Sequence, residues 1–266
     1  MTPPKQKREF PWWLAALLGL GAWFSWEIAR DPVHAAIFAV LWKGVGVTLG
    51  VTLTAFAAAV ALGLALALAA LSGSALLRQG ARFYVEVMRG VPILVLLLYV
   101  AFVGVPAAVA GWNALAAPLG LDPLQTRDVS MLARAVAALA LAYSAFLAEI
   151  FRAGIQAVDP GQVEAAKALG LHRWARFRCV VLPQALRIVL PPLGNDFIAL
   201  IKDSALVSVL GVADVTQLGK LHAASSFRYM ETYNVVAFLY LTMTIGLSLA
   251  LRALEKRLRR RLERRS

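Results

Sequence analysis

DPGQVEAAKALGLHRWARFRCVVLPQALRIVLPPLGNDFIALIKD, residues 159–203, is the longest polar interruption in an otherwise apolar chain. It begins where one apolar run stops and ends inside the next. Gly161 to Leu169 reads as a short helix. Asp159 is placed to cap it, Pro160 fits its first position, and Glu164 lies near the positive end of its dipole. Gly170 stops it, since the residue after a helix end favours a left-handed backbone. A second, basic helix is expected beyond, carrying Arg173, Arg176 and Arg178, with Pro183 as its break and Pro191-Pro192 before the next apolar run.

Outward from this stretch the chain is greasy. Of 266 residues, 60% are hydrophobic and the mean hydropathy is +0.70, well above the roughly 45–50% apolar share of soluble domains. Several apolar runs exceed the roughly 18 residues that argue for spanning helices. Lysine and arginine outnumber acidic residues 27 to 15, a net charge of +12. In a soluble protein that balance would point to nucleic acid. Here the basic residues fall between and after the apolar runs, which fits membrane topology, and nucleic acid is excluded as a partner. Cys179 has no second cysteine to pair with and is expected as a small buried filler. His34, His172 and His222 have no metal-ligand spacing.

Six spans are expected, all helical. Lys5, Lys7 and Arg8 precede the first, Pro11 to Trp26, whose tryptophans suit interfacial anchors and which reads as uncleaved. Val45 to Leu77 carries no charge, and at about 1.5 Å per residue it would outreach a bilayer unless it breaks near Gly63 or Ser72-Gly73. Its Gly44, Gly46 and Gly50 suggest close packing. The next spans are Gly90 to Val109, closed by breaks at Gly104, Pro106, Gly111 and Pro118, then Met131 to Ile150, Leu190 to Gly211 and Thr232 to Leu251. The tail from Arg252 holds eight basic residues (Arg252, Lys256, Arg257, Arg259, Arg260, Arg261, Arg264 and Arg265). The positive-inside rule places this tail, the 159–203 loop, Arg78–Arg89 and the N-terminus in the cytoplasm. The domains are therefore 1–43 (tail, added helix and outer linker), 44–251 (the transmembrane domain, with its loop at 154–190) and 252–266.

The order Glu164-Ala165-Ala166, Gly170, Leu182-Pro183 resembles the EAA loop of permease subunits of ATP-binding-cassette importers. Ala148-Glu149-Ile150, Arg152, Gly154-Ile155, Pro183-Gln184-Ala185, Arg187, Asn195 and Lys202-Asp203 are similar to the polar amino-acid permease family, as is Glu86-x-x-Arg89-Gly90-x-Pro92. The likeness covers about residues 44 to 258. It implies a five-helix type I importer core, to which the first helix is an addition, in a bacterial cytoplasmic (inner) membrane. It also implies partners: a pair of cytosolic ATP-binding subunits, a second permease chain, an extracytoplasmic amino-acid binding protein and membrane lipid. The chain departs from the family in Ser204-Ala205-Leu206, where Thr-Ser-Leu is usual, and in Asp214-Val215, where Glu-Leu is usual.

No phosphate-loop motif and no catalytic grouping is present, so the chain reads as no enzyme. It is expected to bind no cofactor, ATP and Mg being used by the partner ATPase. Glu164, Ala165, Ala166, Gly170, Leu171 and Pro183 form the expected coupling loop, with the two alanines keeping one side thin. Ionisable groups in spans are costly and mark function. Tyr143, Ser144, Glu149, Asp203, Ser204 and Ser208 are the expected substrate path, against the plainer reading that Lys202 and Asp203 simply pair with other charges. Ser204 and Ser208, four apart, are expected on one face. Glu149 and Arg152, three apart, could pair, and Glu86 with Arg89 reads as a structural or gate pair. The alternative to an importer subunit is an ion-gradient-driven secondary transporter, which should show inverted repeats; no internal repeat is evident.

Overall fold

The computed structural model describes residues 12–263. Lys5, Lys7 and Arg8 of the expected leading tail, and Arg264 and Arg265 of the basic one, lie outside the described residues. No strand occurs among the described residues. The helices are α1 (Trp12–Arg30), α2 (Pro32–Ala70), α3 (Ala75–Gly90), α4 (Ile93–Leu119), α5 (Met131–Gln156), α6 (Pro160–Ala168), α7 (Leu182–Asp203), α8 (Val215–Ser226) and α9 (Tyr229–Glu263).

Four of the described helices are long and apolar enough to cross a membrane: α2, α4, α5 and α9 over Tyr229–Ala253. α1 and α7 do not reach that measure, α7 because Arg187, Asn195, Asp196, Lys202 and Asp203 are spread along it. A count of six therefore requires reading both as spans too.

Helix starts follow local chemistry. Asp31 caps α2, accepting from the Val33 N–H at 3.0 Å ahead of Pro32, and that bond together with His34 holds its carboxyl below the ordinary range. Ser130 caps α5 through the Ala133 N–H at 3.2 Å. α2 does end before Ser72-Gly73, and Gly63 is no break. Instead Val51, Ala55, Ala59, Gly63 and Ala67 form a buried seam on α2 that packs against α5. A Cβ on Gly63 would lie 3.0 Å from the Ser144 carbonyl oxygen, so the two backbones touch. Gly44 also packs closely, 2.6 Å from the Val215 nitrogen by the same measure, whereas Gly46 and Gly50 face open space.

The expected proline breaks are corrected. α4 runs through Pro106, and α7 contains Pro191 and Pro192. A wide π-turn, Val100–Gly104, precedes Pro106, and another, Phe177–Val181, precedes Pro183. In each, the residue before the proline donates one register further back: Val105 to Val100, Leu182 to Phe177. The extra residue gives the pyrrolidine ring room that an ordinary turn denies it. Because proline carries no N–H, the Ala101 carbonyl is left without its helical donor. The buried Arg134 fills that place, its Nη1 donating to Ala101 at 2.8 Å. Its other groups donate to the Val129 carbonyl at 2.9 Å and to the Thr126 carbonyl. Arg134 is thus a helix brace, and it forms no ion pair among the described residues.

Candidate functional site

The loop between α5 and α7 is a short peg closed at both ends. Asp159 accepts from the Gly161 N–H at 2.7 Å, with Pro160 at the first helical position. At the other end Gly170 has φ +77°, and the Gly170 and Leu171 N–H groups donate to the carbonyls of Lys167 at 2.9 Å and Ala166 at 3.1 Å. This 5→2 and 6→1 pair satisfies carbonyls the helix would otherwise leave open. Glu164 and Ala165 are exposed and Leu169 is 81% exposed. Ala166 is buried against the chain itself, so only Ala165 of the two alanines presents a thin surface.

Beyond the peg, Arg173–Arg176 makes one α-turn that leads directly into the π-turn and α7, so Pro183 lies within a continuous helical path. Trp174 stacks on Phe177 with centroids 6.1 Å apart. Cys179 is exposed rather than buried, because it sits on the open side of the π-turn. A Cβ on Gly154 would run into Val189, so α5 and α7 are pressed together just above the peg. The peg connects the ends of these two packed helices and rests on the Arg173–Arg176 and Phe177–Val181 turns.

Of the residues expected along a substrate path, the structure brings two together directly. The Tyr143 hydroxyl, on α5, donates to Asp203 Oδ2, at the end of α7, at 2.7 Å. Tyr143 is 4% exposed, Asp203 is half-buried, and Lys202 is exposed. Ser144 is turned elsewhere: its hydroxyl bonds the Leu141 carbonyl at 2.7 Å and the Tyr84 hydroxyl of α3 at 2.9 Å. Ser204 is buried and donates to the Ile201 carbonyl at 2.7 Å. The segment Ser204–Leu210 is a 3-10 helix. Residues four apart there fall about 120° from one another, so Ser204 and Ser208 do not share a face as α-helical spacing implied. Glu149 pairs with Arg152 at 2.5 Å, at the peg end of α5. No ion pair joins Glu86 to Arg89 among the described residues; Arg89 lies over the Phe146 ring at 5.8 Å.

One polar group escaped the sequence reading. Asp214 is fully buried and caps α8, accepting from the Gln217 N–H at 2.8 Å. Tyr240 of α9 donates to it at 3.1 Å and also meets Thr216 at 2.9 Å. Thr48 of α2 accepts from the Val215 N–H at 3.3 Å. Burial pushes the Asp214 carboxyl above the ordinary range, against the pull of its hydrogen bonds. This group ties three helices together. The available signal was an Asp before a helical run, with Gly44 and Thr48 four apart.

A family described as the binding-protein-dependent transport system inner membrane component matches residues 59–264. The glutamine transport system permease protein GlnP of Escherichia coli (strain K12) is 35% identical over 236 residues, covering 89% of this chain and 98% of that protein. The L-cystine transport system permease protein TcyL of Bacillus subtilis (strain 168) is 35% identical over 185 residues, covering 70% of this chain and 73% of that protein. A crystal structure of an amino acid ABC transporter with histidines superposes with a TM-score of 0.69 at 38% identity, over 82% of this chain and 94% of that one. With a helical architecture that includes a doubly capped peg, with the family model matched over residues 59–264 and a glutamine permease matched over 98% of its length, the chain belongs to the family of inner membrane components of binding-protein-dependent transport systems.

Proposed function

We propose that the chain is the membrane-spanning permease subunit of an ATP-binding-cassette importer for amino acids, polar ones. It works in the bacterial cytoplasmic membrane with both termini inside, as one of two permease chains. α1 and α7 count as spans, making six. A pair of cytosolic ATPase subunits consumes ATP with magnesium, and an extracytoplasmic binding protein delivers the substrate. The single observation that carries this reading is the peg: an exposed, doubly capped short helix between α5 and α7 along the chain, packed on the turns that lead into α7, in a chain aligned over 98% of a glutamine permease.

The mechanism follows from rigidity. The ATPases close on ATP, the pegs of the two permease chains move together, and α5 and α7 carry that movement into the membrane as rigid bodies. The Tyr143–Asp203 pair spans the same two helices, so their relative motion opens or closes it. When open, the Asp203 carboxylate and Tyr143 hydroxyl meet the ammonium end of a zwitterion. The Arg173–Arg178 stretch rests at anionic headgroups.

Co-purification tests the assignment: a cytosolic ATPase retained by the tagged chain in mild detergent supports it. Proteoliposomes containing this polypeptide alone should not accumulate glutamine, cystine or histidine. Accumulation driven by an ion gradient would favour a secondary transporter.

A further inference from the structure

At the level of Tyr143, α5 is gripped from a second side. The Tyr84 hydroxyl, from α3, donates to the Leu141 carbonyl at 3.0 Å and lies 2.9 Å from the Ser144 hydroxyl. Ser144 is fully buried and donates to that same carbonyl at 2.7 Å. Side chains from α3 and α5 thus converge on one backbone oxygen, two residues before Tyr143. A carbonyl that accepts from outside the helical ladder leans toward its donors, and hydroxyls bonded back onto a helix bend it. The Tyr84 hydroxyl has no such bond within α3: both of its contacts are to α5. Phenylalanine would fill the same space, and what the hydroxyl adds is the hold on α5.

Neighbouring contacts fix the grip in place. Val85 packs with Ala145 and Ala148 of α5, and Tyr84 and Met88 lie against them. Arg89, five residues on, sits over the Phe146 ring at 5.8 Å, and that ring meets the Tyr143 ring at 5.9 Å. From α2, a Cβ on Gly63 would lie 3.0 Å from the Ser144 carbonyl oxygen, so a third helix abuts the same turn. Tyr143 therefore has its neighbours held by α3 and α2 while its own hydroxyl reaches α7, where Asp203 accepts at 2.7 Å.

We infer that Tyr84 is a positioning residue for the Tyr143–Asp203 pair: with Ser144 it fixes the 141–144 turn of α5, and so sets where the Tyr143 hydroxyl meets the carboxylate. Ser144 then serves this hold instead of lining the path. This rests on the reading above in which the pair meets the substrate.

The test uses the assembled transporter in lipid nanodiscs, with fluorotyrosine in place of Tyr143 and fluorine NMR as the readout. Asp203→Ala gives the resonance of the broken pair. Tyr84→Phe keeps the ring and its packing, so melting should change little, while the resonance should move toward that of Asp203→Ala. A resonance identical to the parent's overturns the inference. In proteoliposomes, Tyr84→Phe should lower uptake of radiolabelled glutamine about fivefold or more. Where Tyr143→Phe is already present, the same change should cost less than about twofold, because a residue acting through Tyr143 has nothing left to position. Equal losses in both backgrounds assign Tyr84 to upkeep of the fold and overturn the inference. A shifted resonance in Tyr84→Phe, together with full uptake by Tyr143→Phe, leaves the positioning standing and overturns the path reading instead, which keeps the two failures apart.

Discussion

Replacing Gly170 by valine should uncouple the transporter without unfolding it. A Cβ at Gly170 meets nothing within 4 Å, so sterics with the rest of the protein contribute nothing. The cost is conformational: φ is +77°, and a residue with a side chain pays about 1–2 kcal/mol to stay left-handed, more if β-branched. The chain can escape that strain by unwinding the last turn of α6. It then forfeits the Gly170 and Leu171 hydrogen bonds of 2.9 and 3.1 Å, each worth roughly 1 kcal/mol. Both routes cost about 2 kcal/mol, which lowers the population of the intact peg about tenfold to thirtyfold relative to its frayed form. The peg is exposed apart from the buried Ala166 and the half-buried Val163, and so adds little to the core. Melting of the purified subunit should move by no more than a few degrees. The measurement is substrate accumulated per ATP hydrolysed in proteoliposomes of the assembled complex, and it should fall several-fold. Gly170→Asn, which tolerates the left-handed region, should keep most of the coupling. A valine variant that couples like the parent would refute the idea that this turn transmits force.

Arg134→Met should lower stability by about 2–4 kcal/mol, read by thermal unfolding in detergent, because it strands the Ala101 carbonyl and drops two further bonds. Asp214→Asn should change the pH dependence of that same unfolding. The native carboxyl titrates above its unfolded value, so its contribution is full below about pH 4 and is lost as pH rises through the raised pKa. The parent should therefore lose melting temperature relative to the Asn variant over that rise, and parallel curves would contradict the burial argument. Tyr143→Phe should leave the fold intact and lower uptake about tenfold, measured with radiolabelled glutamine; full uptake would remove the Tyr143–Asp203 pair from the path.

What the sequence made legible was local or ordered along the chain. Asp159 and Gly170 cap a helix that their own side chain and backbone freedom define, so a few residues sufficed. The Glu149–Arg152 pair follows from helical spacing alone. Glu86 and Arg89 have the same spacing without forming an ion pair, because Arg89 finds an aromatic face on α5, and no spacing rule sees a neighbouring helix. Proline signals misled at Pro106 and Pro183. A proline penalty assumes an ordinary turn, and the widened turns upstream remove the clash. The Asp214 group lay beyond reach because its partners, Thr48 and Tyr240, are brought close only by the packing of α2 and α9 against α8.

The widened turns have a consequence for how this protein can tolerate length changes. One surplus residue in a helix rotates everything downstream by about 100°. Deleting a single residue from Val100–Gly104 would therefore swing the distal part of α4 by more than a quarter turn, presenting a different set of side chains to its neighbours. The same deletion in Phe177–Val181 would rotate α7, with Pro183 and Asp203, relative to Glu164–Gly170 of the peg, although every residue of the loop's motif would still be present. Sequence alignments that absorb such a gap silently would pair residues that point in different directions.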